Sequence, residues 1–344
     1  MPKLDQVAAS IAFLVTASLA VLIVLGSSFL RFFDAALVGY AVATVFAVLG
    51  ITYRFVQWLR RPPTRLYWVR GWQLFASWRN FRRYGLLIPR AIISDLVTQE
   101  FIWPRSAYRW VMHFNLFWGV VLASMITFPL VFGWLHFRLV GAADYQLYVF
   151  GFPTIVFPIQ SVWGFLMLHA LNITAVMVIA GVGMAMWRRW RDREVMSEQE
   201  FGFDFAPLFL LLTISVSGLL LTASQLLWRG SFYWFLALAH QIVVVAAILY
   251  IPFGKFWHVL ERPASIGIRL YKEAHMAEAP QACIGCGRQY ASRQFVADLK
   301  DTLRALDQDY GIAADGAWLQ DFCPTCKRVL RGNSYFASTQ REFL

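Results

Sequence analysis

Long apolar runs, separated by short polar segments, dominate the chain up to about residue 254. A bilayer core needs about 20 apolar helical residues to cross it. Stretches free of Asp, Glu, Lys and Arg cover 6–30, 35–53, 110–137, 145–187, 205–228 and 230–254. Glycine and prolines at the start of the fourth stretch predict a loop, so its helix begins at about 158. The pattern therefore predicts six transmembrane helices. The first run is too long for a signal peptide's apolar core, so a retained helix is favoured over a cleaved leader.

The polar segments set the rest of the organisation. Residues 1–60 hold two helices, 61–103 form a basic amphipathic segment at the membrane surface, and 104–262 form a four-helix core. A linker, 263–280, leads to a polar domain at 281–344, in which apolar spacing predicts a helix over 293–309. The predicted fold class is all-α, a six-helix transmembrane bundle with a small cytoplasmic metal-binding α+β domain.

Composition and charge support a membrane location. The chain is 59% hydrophobic and 15% charged, whereas soluble domains carry about 25% charged residues. The net charge of +11 is concentrated, with nine arginines and no acid between 54 and 90, interleaved with tryptophans. Beside a span this pattern is typical of the cytoplasmic interface with anionic lipid, and single-stranded nucleic acid is the alternative that the location disfavours. A second basic cluster at 187–193 agrees, so both termini are predicted to be cytoplasmic.

Four histidines lie in or beside the predicted spans. His240 and His258 are eighteen residues apart on what reads as one helix, so they share a face about 27 Å apart. Counting from the predicted helix ends matches His169 in depth with His240, and His113 with His258. Two such pairs suit two b haems, each with two axial imidazoles. The alternatives are one haem, or a transporter or passive anchor whose histidines only form hydrogen bonds. The two remaining histidines, 136 and 275, have no depth partner and are predicted to be surface residues.

The stretch from His240 through Pro252-Phe253-Gly254-Lys255 and Trp257-His258 to Arg262-Pro263 resembles the last membrane helix of a known family. That family comprises the dihaem cytochrome b (gamma) subunits of respiratory nitrate reductase, and the stretch is similar too to membrane subunits of heterodisulfide reductase and sulfite-reductase-associated complexes. The resemblance covers about 105–272. It implies that His240, His258 and His113 are haem ligands. The family's remaining ligand falls on Ala123 here, so His169 would have to replace it.

The resemblance also implies a function. The chain would be the electron-transfer subunit of a quinone-linked oxidoreductase in a prokaryotic cytoplasmic membrane, with no catalytic centre of its own. Quinone or quinol would be its substrate near one haem. Its partner would be a cytoplasmic iron–sulfur or molybdopterin protein.

All four cysteines lie in the polar domain as two CxxC pairs, Cys283/Cys286 and Cys323/Cys326. Paired CxxC motifs are a strong sign of a metal site with four cysteine ligands. Cytoplasmic thiols stay reduced, which argues against disulfides. The frequency of structural zinc sites favours zinc, and a single iron or an iron–sulfur cluster is the alternative. The domain is predicted to dock the cytoplasmic electron carrier.

Overall fold

A computed structural model describes residues 5–76, 78–141, 143–191, 199–276, 279–312 and 316–339. Its helices, in chain order, are α1 (Gln6–Gly26), α2 (Val38–Arg60), α3 (Pro62–Ala76), α4 (Trp78–Tyr84), α5 (Leu87–Ala91), α6 (Ala107–Val131), α7 (Val162–Arg191), α8 (Ala206–Leu227), α9 (Tyr233–Tyr250), α10 (Trp257–Met276), α11 (Arg293–Ala305) and α12 (Pro324–Thr339). Six segments, built on α1, α2, α6, α7, α8 and α9, are long and apolar enough to cross a membrane. This confirms the predicted number and suggests an integral membrane protein.

The apolar side chains of these six helices largely face away from the chain's own core. Phe13 and Leu14 of α1 and Val162 and Trp163 of α7 are each more than 60% exposed. Soluble monomers rarely expose apolar patches of that extent. Lipid is the environment that these faces fit.

The chain divides into two compact units. The bundle unit comprises Met1–Gln57 and Val97–Glu261, and the C-terminal unit comprises Trp58–Leu96 and Arg262–Leu344. Most of the basic segment predicted over 61–103 therefore belongs with the last part of the chain.

Close helix contacts organise the bundle unit. A Cβ added at Gly119 of α6 would lie 2.7 Å from the Val178 side chain, and one at Gly181 of α7 would lie 2.7 Å from Leu116. Small residues at such positions let neighbouring helices approach. One core cluster joins α7 and α8 through Val178, Val182, Ala185 and Leu208. A second joins α1, α2, the end of α6 and α9 through Ile23, Tyr40, Ala41, Ala43, Ala47, Val131, Phe132 and Ile248.

The segment between α6 and α7 was predicted to be a loop, and that prediction is wrong. It forms a three-stranded antiparallel sheet of β1 (Leu135–Val140), β2 (Asp144–Val149) and β3 (Phe152–Pro158). The turns use Gly141 and Gly151, whose φ angles are +73° and +81°, a conformation that favours glycine. Aromatic and β-branched residues between these glycines were the available signal for strands.

The last predicted span is also shorter than expected. Helix α9 ends at Tyr250 and α10 begins at Trp257, so His240 and His258 lie on different helices. Pro252 cannot continue the helical hydrogen bonds, and its carbonyl instead accepts a 2.7 Å bond from Arg54 Nη1. The prediction that five turns of one helix carry both histidines is therefore wrong.

In the C-terminal unit, the stretch predicted to be a linker is mostly helical. Helix α10 continues through Pro263 to Met276, although the helix was predicted to end there. Its residues Ile266 and Leu270 pack with Ala91 of α5 in one core cluster. Tyr271 is fully buried. Packing of this apolar face outweighs the one backbone bond that a proline removes.

A buried carboxylate connects three helices of the C-terminal unit. The predicted helix over 293–309 is confirmed as α11, which carries Asp298 with 2% of its surface exposed. Asp298 accepts hydrogen bonds from the Tyr271 hydroxyl of α10, from Arg70 Nη2 of α3 at 3.2 Å and from Gln294 Nε2 at 2.8 Å. Buried charges are stable when paired and hydrogen-bonded in this way.

Candidate histidine and cysteine sites

Two of the four candidate histidines lie near the starts of their helices. On α6, Nδ1 of His113 is 2.8 Å from the side-chain oxygen Oε1 of Gln99. At the start of α10, Nδ1 of His258 is 2.5 Å from the backbone oxygen of Lys255. In this amide orientation Gln99 accepts from Nδ1–H of His113, as the Lys255 oxygen accepts from Nδ1–H of His258, so Nδ1 is the donor nitrogen of each ring.

The histidine of α9 is held in the same way by α8. Nδ1 of His240 is 2.8 Å from Oγ of Ser217. That hydroxyl is 2.6 Å from the backbone oxygen of Thr213, to which it donates within its own helix. Because its proton is used there, Ser217 accepts from Nδ1–H of His240, and Nε2 is again left without hydrogen.

His169 of α7 has a different hydrogen-bond arrangement. Nδ2 of Asn172 is 3.0 Å from Nδ1 of His169, and the Asn172 oxygen accepts from Thr222 of α8 at 2.9 Å. In this amide orientation, Nδ1 of His169 accepts and Nε2 carries the proton. A half-turn of the amide reverses both roles, because a threonine hydroxyl can accept as well as donate.

His169 and His240 are connected to α8 at different points along that helix. His240 contacts Ser217, whereas His169 contacts Asn172, which in turn contacts Thr222. Ser217 and Thr222 are five residues apart, or about 7.5 Å along the axis of α8.

His136 contradicts the prediction of an exposed surface residue. Its ring stacks between Phe32 and Tyr148, with centroid distances of 4.1 and 4.9 Å. Both ring nitrogens are buried, and neither has a hydrogen-bond partner among the described residues. Burial, together with the charge of Arg138, lowers its pKa. The side chain of His275 lies outside the described residues.

The four cysteines come together as the two CxxC motifs predict. The sulfurs of Cys283, Cys286, Cys323 and Cys326 all lie within 4.8 Å of one another, and this cluster could bind a metal ion. Cys286 and Cys323 are 3.7 Å apart at sulfur. Four thiolates at 2.3 Å around one tetrahedral ion would be separated by about 3.8 Å. The spacing therefore suits a single ion.

Backbone groups turn both pairs toward the centre of the cluster. Gly287, with φ +70°, follows the first pair, and Cys283 N–H then reaches the oxygen of Arg288 at 2.9 Å. The second pair begins immediately before α12, so Cys326 lies in its first turn. Cys323 N–H donates to the Cys283 sulfur at 3.2 Å. Such bonds to sulfur orient metal-binding thiolates.

The thiols differ in how readily they ionise. Burial raises the pKa of Cys283, but backbone N–H groups of Cys323, Cys286 and Gly285 outweigh it and lower that pKa to about 6. The pKa of Cys326 is raised to about 12 because its thiol shares hydrogen bonds with the three other sulfurs. A cation at the centre offsets the repulsion among four thiolates, which is the electrostatic condition for a four-thiolate site.

The hydrogen-bond partners of the histidines were not found by sequence reasoning. Ser217, Asn172 and Thr222 are polar residues within apolar runs, which is a signal that could have marked them. Gln99 lies outside the apolar runs, and nothing in its local sequence distinguishes it.

No protein-family model, curated protein or solved structure matches this chain. The resemblance of its last span to dihaem cytochrome b subunits therefore stays an expectation.

Proposed function

We propose that the chain is a membrane cytochrome b subunit that transfers electrons between quinone or quinol and a cytoplasmic iron–sulfur or molybdopterin partner. Two b haems would carry the electrons. His113 and His258 would hold the inner haem, and His169 and His240 the outer one. The four cysteines would hold zinc, or else one iron, in a domain that docks the partner.

The observation that carries the proposal is the contact at Nδ1 of three candidate ligands. His113, His240 and His258 each face an acceptor there, so Nδ1 donates and each ring would bind iron through Nε2. Histidine ligands characteristically donate their other ring N–H, which fixes the tautomer and the ring orientation. His136, which was never a candidate ligand, has no partner at either nitrogen among the described residues.

Haem would supply one-electron transfer, which the amino acids of this chain cannot perform by themselves. The protein's part is to present neutral imidazoles, to orient them through Gln99, Ser217 and Lys255, and to keep water from the site. The axial ligands and their hydrogen bonds are among the properties by which a protein sets a haem's potential.

The first experiment is a haem count on the full chain, purified in detergent from haem-replete cells. A dithionite-reduced minus oxidised spectrum and a pyridine haemochrome assay should give two haems b per polypeptide. His113→Ala and His258→Ala should each lose one haem. His136→Ala is the matched control, because it removes a buried imidazole that the proposal does not use, and it should keep both.

A substitution of His169 distinguishes a proposal in which His169 is a ligand of the outer haem from one in which it is not. This histidine differs from the other three in the direction of its hydrogen bond, so His169→Ala tests whether it is a ligand. Loss of half the haem would make it one, and an unchanged count would remove it from the outer site. Absence of haem from folded, haem-replete protein would refute the proposal and favour a transporter or a passive anchor.

A further inference from the structure

Two tryptophans of α6 hold the preceding segment against the histidine of that helix. Nε1 of Trp110 donates to the backbone oxygen of Thr98 at 2.6 Å, and Nε1 of Trp118 donates to that of Val97 at 3.0 Å. The two indoles lie on either side of His113 in sequence. They fix the backbone immediately before Gln99 beside the imidazole.

Gln99 itself has an unusual conformation and environment. Its φ angle is +54°, which is uncommon for a residue other than glycine. Only 2% of its surface is exposed. Its Oε1 accepts from His113, whereas its Nε2 is buried with no acceptor among the described residues.

A buried amide N–H without an acceptor is unfavourable, because it has lost its hydrogen bond to water without a replacement. The same side chain already uses its oxygen on a proposed haem ligand. The position of Gln99 beside His113 therefore favours an oxygen of the haem as the acceptor for its Nε2–H. The oxygens that haem carries are those of its propionate carboxylates.

We infer that Gln99 is a positioning residue for the haem at His113, an inference that rests on the function proposed above. Its Oε1 accepts from Nδ1–H of His113, which increases electron donation from Nε2 to iron. Its Nε2 donates to a propionate oxygen of the same haem. One buried side chain would thus set both the orientation of the ligand and the seating of the porphyrin.

Two substitutions separate the two contacts. Gln99→Leu removes both, whereas Gln99→Glu keeps an oxygen for His113 and replaces the N–H donor by a carboxylate oxygen. Gln57→Leu is the matched control, because Nε2 of that half-buried glutamine donates to the Tyr53 hydroxyl at 3.0 Å rather than to a candidate ligand. Each full-length variant is purified with haem, and three quantities are measured: haem retention against apomyoglobin, midpoint potentials, and the ferric low-spin EPR signals.

For Gln99→Leu we expect loss of haem to be 10- to 100-fold easier at one site, as for other outer-shell partners of metal ligands. The retained haem should be more easily reduced. Its oxidised-to-reduced ratio at a given potential should fall about tenfold, which corresponds to a midpoint potential higher by about 59 mV. Its EPR signal should shift while that of the second haem stays fixed. Gln99→Glu should also weaken retention, because two carboxylates would then face each other.

The outcomes are distinct. Wild-type protein without haem refutes the proposed function itself. Wild-type protein with haem, and both Gln99 variants matching Gln57→Leu in all three measurements, overturns the inference. Wild-type retention in Gln99→Glu with a shifted potential overturns the propionate contact and leaves the contact to His113.

Discussion

Replacing Asp298 by Asn tests how the C-terminal unit is held together. The substitution keeps the shape of the side chain but removes the negative charge that Tyr271, Arg70 and Gln294 share. Burial, and the bond to Asp298, raise the pKa of Tyr271, so its hydroxyl remains the donor at neutral pH. In asparagine, Oδ1 can still accept from Arg70 and Gln294, but the NH₂ faces the Tyr271 hydroxyl, which loses its anionic acceptor and must itself accept.

The expected magnitude follows from these contacts. Hydrogen bonds to charged groups contribute about 1.5–3 kcal/mol each. The Arg70 side chain is 41% exposed, so solvent screens its share to about 1 kcal/mol or less. Because the bonds to Arg70 and Gln294 lose the charge and the Tyr271 hydroxyl loses its anionic acceptor, we expect Asp298→Asn to lower the free energy of unfolding of this unit by about 2–3 kcal/mol.

The assay uses the chain's four cysteines, all of which lie in this unit. Full-length protein in mild detergent is equilibrated in urea and pulsed with a thiol reagent, and modification of buried Cys283 and Cys323 reports opening. With a urea dependence of about 1–3 kcal/mol per molar, the midpoint should fall by about 0.7–3 M.

Asp301→Asn is the matched control. Asp301 lies one turn further along the same helix, pairs with Arg304 at 2.9 Å, and has a side chain that is 59% exposed. Its replacement should change the free energy of unfolding by less than about 0.5 kcal/mol. Equal midpoints for Asp298→Asn and Asp301→Asn would refute the account of Asp298.

Three other outcomes are expected. Gly254→Ala should lower haem content, because its Cβ would overlap the Tyr250 ring and disturb the segment between α9 and α10. Gly183→Ala should leave haem content unchanged, because its Cβ would meet no described atom within 4 Å. Equal haem contents would argue against a role of the segment between α9 and α10 in positioning the haem ligands. Burial and a neighbouring arginine lower the pKa of His136. The stability that the neutral imidazole contributes above about pH 6.5 should therefore be lost as the pH falls. In thermal melts, His136→Phe should lose less stability than the wild type between about pH 7 and 5. Cys323→Ser should abolish stoichiometric metal binding measured by elemental analysis, and full metal content would contradict a four-thiolate site.

Hydropathy alone was sufficient to locate the six helices that are long and apolar enough to cross a membrane. Each run is local and long, and no tertiary contact is needed for about 20 apolar residues to require lipid. The two CxxC motifs were recognised as a candidate metal site just as readily, because each places two sulfurs within four residues of the chain. Helix α11 followed from the spacing of its apolar residues alone, and the structure adds that the Ser292 side chain caps it.

Local pattern failed where backbone chemistry changes within an apolar run. Pro252 and Gly254 lie between α9 and α10, but the unbroken hydropathy from 230 to 254 masked the break and joined His240 to His258. The strands between α6 and α7 were missed for a similar reason. Their aromatic and β-branched residues lie within apolar runs, and the glycines and prolines among them led to the prediction of a loop.

The sequence by itself therefore determined the six candidate spans, the cysteine cluster and the four histidines of interest, because each depends on residues close together in the chain. Only the tertiary structure decided what holds those histidines. Gln99 is 14 residues from His113, and Ser217 is 23 residues from His240. It also decided that His240 and His169 are connected to α8 at different residues, Ser217 and, through Asn172, Thr222. Hydrogen-bond partners and relative depth depend on how separate helices pack, and hydropathy carries no information about that register.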